Sequence, residues 1–201
     1  MKNKVIACIG DSLTEGDYGV VGMAGIANVQ EKNYPHFLKE LSGCKVKNHG
    51  HCGFTSVMIL DLFKNGTIKV DDADIIVVVL GTNGGQSEEG NSENDLAYKE
   101  IIRLCREQSP KAKIFICTPP RPTQDKKMLG YSFNENAFSG MKFVKKYAKE
   151  DKELYLIDLY NSPQIRKESD AYLYPNDGLH FGEAGYQILA SIIYDNIKKH
   201  L

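Results

Sequence analysis

No stretch of the 201-residue sequence approaches the run of about 18 apolar residues that a membrane span needs, so no spanning segment is expected. The charge shows no excess either. Twenty-five basic and 26 acidic residues leave a formal net charge of −1, too little positive field to attract nucleic acid or an anionic membrane. The five cysteines (Cys8, Cys44, Cys52, Cys105 and Cys117) are odd in number and include no Cys-x-x-Cys pair. That pattern argues against a disulfide framework or a zinc knuckle and for small apolar core residues in a reducing compartment. The apolar run after Met1-Lys2-Asn3-Lys4 is five residues long, short of the roughly 7–15 that a secretory signal core requires. A cytoplasmic protein is therefore expected. The glycine signatures of nucleotide-binding loops are missing: residues 10–16 do not fit Gly-x-x-x-x-Gly-Lys, and no Gly-x-Gly-x-x-Gly follows the first apolar run. Thr14 stands where Gly-x-Ser-x-Gly would need its second glycine, which argues against an α/β-hydrolase nucleophile elbow. There is no internal repeat, linker or low-complexity tract, so residues 1–201 are expected to form a single domain.

What the chain does contain is an alternation of apolar runs and amphipathic stretches. Val5–Ile9 reads as a buried strand and Lys45–Asn48 as an edge-like one. Ile75–Leu80 is a continuous β-branched run without alternation, the pattern of a central parallel strand covered on both faces. Lys113–Cys117, closed by Pro119-Pro120, and Leu154–Leu159 complete five strands. Between them, helical spacing is seen at 34–41, 56–63, 92–108 and 134–149, with a last helix at about 183–198. Ser92-x-x-Asp95 resembles a capping box. Residues 17–33, 121–133 and 160–176 read as loops. The order β-α-β-α-β-α-β-α-β-α implies a five-stranded parallel sheet with helices on both faces.

Four segments then fall at carboxyl ends of strands or just before the last helix: Gly10-Asp11-Ser12-Leu13, Asn48 to Thr55, Gly81-Thr82-Asn83, and Asp177 to His180. Doubly wound sheets gather such loops around one crevice. Ser12, where the first strand turns, is placed to be a nucleophile, but a serine hydroxyl needs a base to remove its proton. Of the five histidines only His180 has an acid three residues before it. An Asp-x-x-His turn lets Asp177 accept from Nδ1–H, fixing the tautomer and leaving Nε2 to face Ser12. Ser12 is thus read as nucleophile, His180 as general base and then acid, and Asp177 as the group that orients it. A developing oxyanion needs N–H donors. The candidates are the side-chain amide of Asn83 and the backbone N–H groups of Gly53 and Ser12. Asp11 is expected to order the Ser12 turn. A metal on His49-x-His51 lacks a third ligand, and no metal or other cofactor is expected.

Together the four segments resemble the four blocks of the GDSL, or SGNH, hydrolases, which are named for a Ser, a Gly, an Asn and a His. Gly10-Asp11-Ser12-Leu13 matches to the letter. The stretch from Asn48 is similar to the family's Asn-x-Gly-x-x-Gly, with Gly53 as the oxyanion glycine. Gly81-x-Asn83 is similar to Gly-x-Asn-Asp, with Gly84 where Asp is usual. Asp177-x-x-His180 precedes the final helix as in the family. The resemblance implies a three-layer α/β/α, flavodoxin-like fold and metal-independent hydrolysis of carboxylic esters through an acyl-enzyme. The implied partner is a small-molecule ester, with no nucleic acid and no membrane span; a homo-oligomer stays open. Residues 17–33 and 121–133 are expected to shape the pocket. Both are polar, without the sustained apolar lining that a fatty acyl chain favours, which points to a short acyl group such as acetyl on a carbohydrate. The alternatives are a lysophospholipase or thioesterase acting on longer chains, and a non-catalytic binding module on the same fold.

Overall fold

The computed structural model describes residues 4–19, 27–167 and 170–201. Five parallel strands, β1 (Val5–Gly10), β2 (Lys45–Gly50), β3 (Ile75–Val79), β4 (Lys113–Cys117) and β5 (Tyr155–Ile157), form one sheet in the order β2-β1-β3-β4-β5. This is the flavodoxin-like order, in which the strand sequence reverses direction beside β1 and opens a crevice at the carboxyl ends of β1 and β3. The helices are α1 (Ser12–Glu15), α2 (Tyr34–Ser42), α3 (Ser56–Lys64), α4 (Glu93–Gln108), α5 (Asn134–Glu150), α6 (Pro163–Lys167), α7 (Asp170–Leu173) and α8 (Glu183–Ile197).

The period-2 alternation of strand side chains divides the core into two layers. Ile6, Cys8, Ile75, Val77 and Val79 pack under α2 and α8, with Phe37, Leu38, Leu189 and Ile193. Ala7, Ile9, Ile76 and Val78 face the other way, against Ile59, Tyr98, Ile101 and Phe143 of α3, α4 and α5. All five residues of β3 are fully buried, as its unbroken apolar run requires. The capping box at Ser92 forms: Asp95 N–H donates to Ser92 Oγ, and Ser92 N–H donates to the Asp95 carboxylate.

The structure departs from the sequence reading in three places. A one-turn helix, α1, follows β1 directly; four residues are too few to show a period. The loop expected over 160–176 contains α6 and α7, each only about a turn long. The loop expected over 121–133 ends in a 3₁₀ turn, Leu129–Phe133, that leads into α5. Of the rim stretch 17–33, residues 20–26 lie outside the described residues; its ends are held by an antiparallel bridge between Asp17 and Val29. Among the described residues no helix is long and apolar enough to cross a membrane.

Candidate active site

Gly10, Asp11 and Ser12 pass from strand to helix without a spacer. Asp11 caps α1: its Oδ1 accepts the Leu13 N–H at 3.0 Å, the ordering role expected of it. Ser12 is the first residue of the helix and is 4% exposed. Its Oγ lies 2.8 Å from His180 Nε2. His180 Nδ1 lies 2.7 Å from Asp177 Oδ2, while Asp177 Oδ1 accepts the backbone N–H groups of Leu179 and His180, both at 2.9 Å. The Asp-x-x-His turn therefore holds its own geometry, and the residues at the two ends of the chain come together as one relay.

The relay sits beside a further carboxylate, Asp17, that sequence reasoning passed over. Asp17 Oδ2 is 3.8 Å from His180 Nε2. The other Asp17 oxygen accepts the N–H groups of Gly19 and Asn28 at 2.9 Å, so the side chain is fixed in place. Burial alone would pull the His180 pKa down, but the hydrogen bond and charge of Asp177, followed by the charges of Asp17 and Asp11, raise it above its ordinary 6.5. Asp177 is the converse: burial pushes its carboxyl up, but the His180 contact and the two backbone N–H bonds bring it down to about 2. Asp11 is fully buried, with no partner for Oδ2 among the described residues, and burial lifts its carboxyl to about 6.

The oxyanion candidates are held by the end of β2 and the loop that follows it. Asn48 Nδ2 donates to the Thr14 carbonyl at 2.9 Å, and Asn48 Oδ1 accepts the Gly50 N–H at 2.9 Å. His51 N–H donates to the Gly10 carbonyl at 3.1 Å, and Cys52 N–H donates to the Glu15 carboxylate. Gly50 lies so close to α1 that an added Cβ would overlap the Glu15 backbone nitrogen. Beyond these anchors, Gly53 turns at φ +76°. Among the described residues its N–H and that of Ser12 have no hydrogen-bond partner. Asn83, at the end of β3, donates one amide hydrogen to the Phe54 carbonyl at 3.0 Å, which fixes its side chain and leaves the second hydrogen for another acceptor.

Gly84, where the resembled family usually has Asp, has a local reason. It takes φ +87°, and a Cβ there would come within 2.7 Å of Asn136 Cγ. The loop is instead supported further along, where the Asp95 carboxylate accepts from Ser87 N–H, Ser87 Oγ–H and Ser92 N–H.

Glu15, Asp17 and Asn48 are the functional neighbours that the sequence did not single out for a role. Asn48-x-Gly50, a short amide before a glycine at a strand end, was the one available signal. His49 and His51 have no third ligand: among the described residues no group of three His, Cys, Asp or Glu side chains could hold a metal ion. Four cysteines are buried as expected, but Cys52 is only half-buried, with its Sγ 3.8 Å from Asp17 Oδ2.

The sequence profile of the GDSL-like lipase/acylhydrolase family matches residues 8–188. The uncharacterized protein YpmR of Bacillus subtilis is 24% identical, over 97% of this chain and 82% of its own length. Among solved structures, a lipase/acylhydrolase from Enterococcus faecalis superposes with a TM-score of 0.68 at 22% identity, covering 98% of this chain and 97% of that one. An aryl esterase from M. smegmatis and a carbohydrate acetylesterase from Sinorhizobium meliloti each give a TM-score of 0.74, at 16% and 15% identity, covering 98% of this chain and 100% of theirs. At these identities the structural likeness shows the shared fold alone.

Proposed function

Because the chain belongs to the GDSL-like lipase/acylhydrolase family, we propose that this hydrolase is a serine esterase that cleaves short acyl esters of small polar molecules, acetylated carbohydrates foremost. The observation that carries the reading is the Ser12–His180–Asp177 relay, with contacts of 2.8 and 2.7 Å, beside two N–H groups that have no partner among the described residues and one half-used amide. Ser12 Oγ attacks the ester carbonyl while His180 Nε2 takes its proton. Asp177 keeps the remaining ring proton on Nδ1 and stabilises the imidazolium. The tetrahedral oxyanion is met by the N–H groups of Ser12 and Gly53 and by the Asn83 amide. His180 then protonates the leaving alcohol, which leaves Ser12 acylated. A water deprotonated by His180 attacks the acyl group, and the acid departs as Ser12 recovers its proton.

Support for a short acyl group comes from the rim. Gln124 to Lys127 are exposed polar residues beside the catalytic loop, to which they are tied by a Thr123 N–H to Gly178 carbonyl bond of 2.8 Å. That the Sinorhizobium meliloti protein of the same fold is a carbohydrate acetylesterase adds support. Hydrolysis of p-nitrophenyl esters from acetate to laurate, with EDTA present, tests the reading. The expected maximum is at acetate or butyrate. A maximum at laurate would replace it with the lysophospholipase or thioesterase reading. No hydrolysis of any ester would favour a binding module.

The charge around His180 sets the pH profile. His180 accepts the Ser12 proton only when neutral, so kcat/KM should rise with pH and level off once His180 is deprotonated, with a midpoint above 6.5. Asp17→Asn removes a negative charge 3.8 Å from Nε2; less energy is then gained by protonating the ring, and the midpoint should move down. A midpoint unmoved by this substitution would remove Asp17 from the electrostatics of the site.

A further inference from the structure

The chain has four arginines, and they divide into two pairs. Arg103 and Arg106, on α4, are ion-paired with Glu100, Glu107 and Asp151. Arg121, after β4, and Arg166, in α6, have no carboxylate partner among the described residues. These two line the same cavity, of about 180 Å³, together with Pro122, Ile165, Leu173 and Tyr174. Two arginines that line one small cavity, with no carboxylate partner among the described residues, keep their guanidinium donors for something else.

The frame around them is rigid. Tyr174 O–H donates to the Arg121 carbonyl at 2.6 Å, and the Tyr174 ring stacks on Phe181 with centroids 4.8 Å apart. Gly182 N–H donates to the Leu173 carbonyl at 2.9 Å, and Arg166 N–H to the Ser162 carbonyl at 3.0 Å. The arginine forks thus start from fixed backbone on two separate segments, and Pro122, Ile165 and Leu173 supply an apolar wall.

We propose that this cavity is an anion site that takes the carboxylate or phosphate of a small organic molecule. Planar guanidinium forks match either group with paired N–H···O bonds. An anion between Arg121 and Arg166 bridges the loop after β4 to α6. The Arg121 loop is hydrogen-bonded through Thr123 to Gly178, in the turn that carries Asp177 and His180. The site stands on its own chemistry and does not depend on the esterase reading.

Isothermal titration of the intact protein with inorganic phosphate and with succinate, in chloride buffer of constant ionic strength, tests it. At least one of the two anions should bind saturably with one site per chain. Arg121→Gln and Arg166→Gln should each weaken that binding about tenfold or more, since each removes a charge-assisted pair of bonds. Arg103→Gln, on an ion-paired helix surface, should bind as the wild type does. Arg166 is exposed on a short helix, so its variant carries the test if Arg121→Gln does not fold. Saturable binding of neither anion, or equal affinity in the Gln variants, would overturn the proposal.

Discussion

Ser12→Ala is expected to lower kcat for p-nitrophenyl acetate by about 10⁴–10⁶-fold, the loss typical when a nucleophile working within a relay is removed. The fold should hardly register the change. The Ser12 hydroxyl has its hydrogen bond to His180 and α1 is capped by Asp11, which the substitution leaves alone. Alanine is the best helix former, so the first turn has no reason to unwind. Unfolding temperature, measured beside the kinetics, separates a chemical loss from a structural one. A fluorophosphonate probe should add its mass to the wild type at Ser12 and leave the variant unlabelled. Wild-type rates in Ser12→Ala would mean that the ester is cleaved elsewhere.

Asp177→Asn should cost about 10³–10⁴-fold in kcat, for a different reason. The asparagine oxygen can still accept the Leu179 and His180 N–H groups that Asp177 Oδ1 now accepts, so the turn keeps its shape. The amide nitrogen then faces His180 Nδ1 as a donor. It forces the ring proton onto Nε2, where it points at Ser12 and blocks the proton transfer. Losing the carboxylate also removes the largest influence holding the His180 pKa up against burial, so residual activity should titrate at lower pH than in the wild type. A variant that kept both rate and pH profile would show that His180 is oriented by other contacts. Asp17, 3.8 Å away on the Nε2 side, is the first to examine.

The sequence made some parts of this arrangement legible because their causes are local. The β-branched run of β3 can only be a strand buried on both faces, and Ser92-x-x-Asp95 carries its own hydrogen bonds. Asp177-x-x-His180 is likewise a self-contained turn. Ser12 and Asn83 were legible through their places at strand ends, once the alternation of elements implied one crevice. Glu15 and Asp17 were not, because their partners are distant in the chain: Glu15 reaches Cys52, and Asp17 reaches His180. Spacing gives no hint of such contacts. The short helices α1, α6 and α7 escaped for want of length, since a single turn shows no periodicity. Arg121 and Arg166 are 45 positions apart, and only folding reveals that neither has a carboxylate partner among the described residues.

The ties that join the end of β2 and the loop after it to the β1–α1 turn have a mechanical consequence. The turn carrying Ser12 and the loop carrying Gly53 are fastened at three points: Asn48 to Thr14, His51 to Gly10, and Cys52 to Glu15. Thermal displacement of one is therefore shared by the other. In the proposed mechanism the spacing between the Ser12 oxygen and the Gly53 N–H is thus coupled, much as two marks on one ruler share the ruler's motion. Reaction geometry tolerates errors of only about half an ångström, so what matters is this relative motion and not the absolute motion of either part.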